Sequence, residues 1–222
     1  NQVYYWALNP VVNETGQYIA YESTRDIDRY SGWLIDLENG EEWEIYKGEE
    51  GESVSITGWL TQNKLMLESF KEDIKTRENK LIDINGELLQ LPLELKYQFI
   101  NDINQPHHLI NYCKQDTDIE KLYVFDMNSK KQRYIPLQND EADFRQTAFF
   151  SPDGKRIMYA TNLIRGGIRY SIIDFNSNEL KYFEKTPNGE KLYGMPKWVD
   201  SNTLVLQSRT ANARALWIYS LD

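Results

Sequence analysis

Six arginines are the residues best placed to do recognition chemistry. Arg25, Arg29, Arg165, Arg169, Arg209 and Arg214 lie in three polar stretches, "STRDIDRYSG" (23–32), "TNLIRGGIRY" (161–170) and "SRTANARA" (208–215). A guanidinium is a planar fork of donors that matches a carboxylate or a phosphate. The clustering therefore points to anion-contacting loops. The plainer reading is solvated loop charge, or pairing with nearby acids such as Asp26 and Asp28.

Other chemistry-bearing residues form weaker patterns. Asp26-x-Asp28 with Ser31-Gly32 opens like a calcium loop. Tyr30, however, stands at the third ligand position, the glycine is one residue late and no Glu closes the loop. His107 and His108 are the only histidines. On a strand they would face opposite ways and could not share a metal, so a turn is expected. Cys113, the only cysteine, excludes an intrachain disulfide. It sits in the apolar "LINYC" and is expected to be a buried, inert thiol.

No Gly-x-Ser-x-Gly elbow is present for serine hydrolase chemistry. Asp102 and Asp200 are candidates for a glycosidase carboxylate pair, although Asp200-Ser201-Asn202 reads directly as a hairpin turn. The 6 tryptophans suggest sugar stacking. Yet Trp59 matches Trp198 and Trp33 matches Trp217 in place, which points to shared packing. Trp6 and Trp43 stand outside this correspondence, and Trp43 is expected on an exposed outer strand. No catalytic residue, metal ligand or cofactor is assigned.

Composition narrows the classes. The net charge of -9 over 222 residues argues against a nucleic-acid partner. With 15 Tyr, 6 Trp and 8 Phe, the chain is rich in residues that suit pleated, half-buried surfaces. No run reaches the roughly 18 apolar residues of a membrane span, so no insertion of this segment is expected. There is no signal peptide, and the chain starts at Asn1 without Met. A processed piece with a leader or anchor upstream is the expectation.

What positions the arginines is a repeat. "WLIDLENGEEWEI" (33–45) brings an apolar run to Asp36, then a turn, then a second run. The layout recurs around Asp83, Asp126 and Asp174, with Ser220 at the equivalent place, at spacings of 47, 43, 48 and 46 residues. "TGQYIAYEST" from Thr15 matches "DGKRIMYATN" from Asp153, with Gly16 and Gly154 separated by 138 residues. Asn-Gly at 39–40 and 85–86 is a strong hairpin signal. The second runs are continuously apolar, as for strands covered on both faces. No capped amphipathic helix is evident, and "EDIKTREN" (72–79) falls where a hairpin loop belongs.

Five copies of strand, turn, strand, loop, strand, tight turn, strand describe the blades of a β-propeller. The predicted fold is all-β, a single domain over 1–222 with five four-stranded antiparallel blades. The repeats span about 1–48, 49–94, 95–140, 141–188 and 189–222. The fifth lacks an outer strand, and "QVYYW" (2–6) is the candidate to supply it and close the ring. The rival is a cut piece of a longer propeller.

Phe150-Ser151-Pro152-Asp153-Gly154-Lys155-Arg156-Ile157, with Tyr159 and Asp174, resembles the repeat of the Tol-B-like, WD-type propeller family. The first repeat keeps Gly16, Ile19, Tyr21, Ser23 and Asp36, but has Glu14-Thr15 where Pro-Asp would sit. The resemblance implies a non-catalytic binding or protein-interaction module, extracytoplasmic rather than cytoplasmic, within a bacterial envelope protein or lipoprotein. The expected partner is another protein, or an anionic or small ligand, at the rim that carries the six arginines. The alternatives are a five-bladed glycoside hydrolase and the regulatory propeller of a larger peptidase or membrane-anchored sensor.

Overall fold

A computed structural model describes residues 6–25, 30–71, 73, 75–115, 120–192, 194–209 and 214–221. The chain divides into two compact units, Asn1–His108 and Leu109–Asp222. Five antiparallel sheets follow the five repeats.

In the first unit, β1 (Ala7–Val12), β2 (Tyr18–Ser23), β3 (Ser31–Asp36) and β4 (Glu42–Tyr46) pair in chain order. So do β5 (Glu52–Thr61), β6 (Lys64–Lys71), β7 (Thr76–Asp83) and the short β8 (Leu88–Leu89). A single turn of helix, α1 (Leu93–Lys96), precedes β9 (Phe99–Asn104). Strand β7 starts earlier than the sequence suggested, so residues 76–79 are strand rather than loop. The third repeat continues with β10 (Leu109–Gln115), β11 (Glu120–Asp126) and β12 (Lys131–Ile135), in the order β12-β11-β10-β9.

In the second unit, β13 (Glu141–Phe150), β14 (Arg156–Leu163), β15 (Ile168–Asp174) and β16 (Leu180–Phe183) again pair in order. Among the described residues the fifth sheet has three strands, β17 (Lys197–Trp198), β18 (Thr203–Arg209) and β19 (Arg214–Ser220). Residues 2–5 of the proposed closing strand lie outside the described residues, and Trp6 is exposed.

The recurring aspartates end the third strands because their side chains build the turns that follow. Asp36 Oδ1 accepts from the Glu38 N–H at 2.8 Å. Asp83 Oδ1 accepts from Asn85 and Glu87 at 2.9 Å each. Asp126 and Asp174 do the same for Asn128 and Asn176, at 2.8 and 2.9 Å. Such Asx turns fix the reversal with one short side chain. At Asp174 the N–H of Ser177, foremost, and that of Asn176 hold the carboxyl below its usual range.

The second strands of the first four repeats are buried at successive positions because both their faces are covered, whereas in β18 Val205 is half-buried and Gln207 exposed. In β14, Ile157 and Tyr159 pack with Leu122, Ile135 and Phe144, whereas Met158 packs with Ile172, Leu204 and Leu206. In the first unit Ala20, Leu34, Val54, Trp59, Leu65 and Leu67 share one core between the first two sheets. Trp59 Nε1 donates to Val11 O at 3.0 Å, and Trp198 Nε1 donates to Phe149 O at 3.4 Å. The matched tryptophans thus tie the first strand of one repeat to that of the repeat before. Trp43 departs from expectation: it is half-buried, because its Nε1 donates to Ile84 O at 3.0 Å and its ring meets Tyr18 edge-on.

Candidate functional site: the arginine cluster at the β14–β15 turn

Arg165 and Arg169 are brought together by a tight turn. Leu163 N–H donates to Gly167 O at 3.1 Å, and Gly166 N–H donates to Leu163 O at 2.8 Å. Gly166 and Gly167 have φ of 83° and 104°, which favours glycine. The turn projects Ile164 and Arg165 outward, while Arg169 enters the sheet at the start of β15.

Arg169 is the buried centre. Its side chain is 6% exposed, and its two terminal nitrogens donate to the two oxygens of Asp140 at 2.6 Å each. Its Nε and Nη2 donate to Glu184 Oε1 at 3.2 and 2.9 Å. Glu141 Oε1 lies 3.8 Å from Nη1. The guanidinium carbon sits 4.4 Å from the centre of the Tyr182 ring, a cation–π contact. The bonds to Asp140 above all, with those to Glu184, raise the Arg169 pKa, and Asp140 is correspondingly held below the usual carboxylate range. Asp140 therefore stays ionised at neutral pH and is no proton donor.

Arg165 shares the same acceptor. Its Nη2 donates to Glu184 Oε1 and Oε2 at 2.7 and 2.6 Å, yet its side chain is 63% exposed. Ile164 and Tyr182 are also exposed. An aromatic ring, an aliphatic group and a guanidinium thus stand on a fixed base, the composition found at interface hot spots. Tyr182 and Glu184 were not singled out from sequence: they lie in and just after outer strand β16, where no pattern marks them.

The other candidates fall elsewhere. Arg25 belongs to the first unit, where it pairs with Glu42 and lies 4.6 Å over the Trp33 ring. The hydrogen bond from Arg25, foremost, and that from Tyr21 outweigh burial and lower the Glu42 pKa. Arg29 and the Asp26-x-Asp28 pair lie outside the described residues, as does the side chain of Arg209. Arg214 is exposed on β19, opposite Arg209 in register.

His107 and His108 sit in a turn, with His108 Nδ1 donating to Leu60 O at 3.2 Å. Cys113 is buried. Asp200 Oδ1 accepts from Asn202 N–H at 2.8 Å, the hairpin role its sequence suggested. Asp102 lies in β9, in the other unit from Asp200. Among the described residues no group of three or more His, Cys, Asp or Glu is placed to hold a metal ion. Nor is any helix long and apolar enough to cross a membrane.

No protein-family model matches the sequence, and no curated protein matches it. Solved structures do. TolB from Acinetobacter baumannii is 15% identical with a TM-score of 0.64, over 98% of this chain and 52% of its own. The β-propeller domain of the Trilobed protease from Pyrococcus furiosus is 16% identical with a TM-score of 0.65, over 96% of this chain and 68% of its own. An oligogalacturonate lyase in complex with manganese is 10% identical with a TM-score of 0.67, over 100% of this chain and 67% of its own. This chain therefore spans about half the length of that TolB. At these identities the likeness carries the fold and leaves the activity open. The chain has a TolB-like β-propeller fold.

Proposed function

We propose that this chain is a non-catalytic protein-interaction module that docks its partner on the exposed edge of the Arg169 cluster. The contacts are Ile164, Arg165 and Tyr182, with Arg165 exchanging part of its bond to Glu184 for a carboxylate or other anion on the partner. The observation that supports this reading is the division of labour between the two arginines. Arg169 is spent on internal carboxylates, whereas Arg165 is 63% exposed above it. A surface so held loses little entropy on binding. Arg209 and Arg214, on the matching loop of the fifth repeat, and Arg25 and Arg29, on that of the first, are proposed as further rim contacts.

The resemblance of the Ser151-Pro152-Asp153-Gly154 repeat supports placing the module in an extracytoplasmic part of a bacterial envelope protein. The test is capture from the native host's envelope extract by the wild type and by the Arg165→Ala/Tyr182→Ala double variant. A partner held by the wild type and lost by the variant supports the reading. Equal capture by both contradicts it.

A further inference from the structure

The second sheet has a shortened outer strand. β8 has 2 residues, whereas β4, β12 and β16 have 5, 5 and 4. It pairs only with Leu81 and Ile82, so residues 76–80 of β7 have no strand on that side among the described residues. The hairpin shows which backbone groups face the open side. Asp83 N–H donates to Glu87 O at 3.0 Å, and orientation alternates along an antiparallel strand. Arg77 and Asn79 therefore present N–H and C=O outward. Glu78 faces the other way, its carbonyl accepting from Ser69 Oγ at 3.4 Å.

The chain beyond β8 does not refill the gap. It swings out through Pro92 into α1 and returns to β7 through side chains: Asn79 Nδ2 donates to Leu95 O and Gln98 O, at 2.7 Å each, Lys96 pairs with Glu78, and the Arg77 guanidinium lies over the Phe99 ring. Between lies a groove of about 440 Å³ lined by Asn79, Leu88, Leu91, Pro92, Leu93 and Lys96 among others, within the size range of ligand sites. Leu88 and Leu93 are 63% and 80% exposed. Asn79 is 2% exposed, and its buried Oδ1 has no hydrogen-bond partner. A buried acceptor without a donor is costly, and an arriving N–H would relieve it.

Charge selects the occupant. Lys96 Nζ lies 2.9 Å from Glu78 Oε1, and Lys80 Nζ lies 2.6 Å from Glu52 Oε1. The lining charges are matched from within the chain. A charged guest would bring an unpaired charge against leucine and proline, so the groove complements a neutral one.

We propose that this groove binds an uncharged, extended peptide segment, which adds as a strand to the β7 edge at Arg77 and Asn79 and rests aliphatic side chains on Leu88, Leu91 and Leu93. Main-chain bonds supply affinity, and the leucines select alternate side chains. The site lies within the first unit and does not rest on the Arg165 surface.

The probe is an acetylated, amidated hexapeptide of alternating valine and threonine, titrated into the ¹⁵N-labelled chain. The expected result is saturable shifts at the amides of Arg77, Asn79 and Leu81. Leu93→Asp, at an exposed position that leaves the fold intact, should bind about tenfold more weakly. The same peptide N-methylated on its edge-facing amides should not bind. Absence of saturable shifts at those amides, unchanged affinity in Leu93→Asp, or equal binding of the N-methylated peptide would each overturn the proposal.

Discussion

The ammonium of Lys80 sits 2.6 Å from the carboxylate of Glu52, a side chain with no solvent exposure. The fourth repeat builds the same device with a different cation, Arg169 lying 3.8 Å from the equally buried Glu141. Each glutamate opens the first strand of its sheet. Each also accepts from a backbone N–H three residues upstream, Glu49 at 2.8 Å and Gln138 at 2.6 Å. The carboxylates thus fasten the start of a first strand to the third strand of the same sheet.

This device predicts an acid-labile share of stability. Burial pushes the Glu52 carboxyl up, but hydrogen bonds from Lys80, the Glu49 N–H and Ser69 outweigh it and hold the pKa at about 2. A depressed carboxyl stabilises the fold fully above its unfolded value near 4.5 and loses that contribution as pH falls toward 2. Urea unfolding across that window should show a loss on the order of 3 kcal/mol in the wild type. Glu52→Gln should lack this part of the acid limb. It should also be less stable at neutral pH by about 3 kcal/mol, because Lys80 loses its carboxylate. Parallel acid limbs in the two proteins would count against the pairing.

The two arginines of the rim should separate stability from recognition. Arg169→Ala leaves Glu141 buried without its cation and should cost about 3 kcal/mol in denaturant unfolding. Arg165→Ala removes an exposed pair and should cost less than about 1 kcal/mol. Equal costs would mean that Arg165 is a structural residue rather than a recognition residue.

Much of the fold was legible because one physical need recurs. Asp36, Asp83, Asp126 and Asp174 stand out because each of the first four repeats turns sharply after its third strand, and an aspartate side chain makes that turn. The apolar second strands stand out because Met158 and its neighbours Ile157 and Tyr159 serve two cores at once. The glutamate–cation device was not legible. Glu52 and Glu141 look like surface charges, and the matched cation is Lys in one repeat and Arg in the other. The patch was half legible: Arg165 and Arg169 belong to a recognisable loop, whereas Tyr182 and Glu184 reach it from in and just after an outer strand whose sequence carries no marking pattern. Trp43 was misplaced because its burial depends on Ile84, a residue of the next repeat.

Two turn glycines should respond differently to alanine. At Gly86, φ is 84° and an added Cβ would lie 2.6 Å from Ile45 O. At Gly40, φ is 74° but nothing lies within 4 Å. Gly40→Ala should cost about 1 kcal/mol, the strain of a left-handed alanine. Gly86→Ala should cost more than twice that, since the backbone of β4 must also move. Thermal unfolding of the two variants measures the difference, and equal shifts in Tm would remove the close approach from the account.

Cys113 should be silent until the chain unfolds. It is 2% exposed in the core that holds Leu122 and Ile157. A thiol-specific chromogenic reagent should react at the rate of unfolding, rising with denaturant. Prompt stoichiometric reaction in native buffer would contradict its placement.

Each of the five repeats places its second strand between two others of its sheet. Amide hydrogen exchange followed residue by residue tests that claim most directly. Slow exchange should appear in five stretches, beginning at Ala20, Leu65, Ile110, Ile157 and Leu204, at spacings of 45 to 47 residues. The outer strands and the loops between should exchange faster. A protected stretch missing from any repeat, or protection running through a segment such as 72–79 at helical spacing, would contradict it.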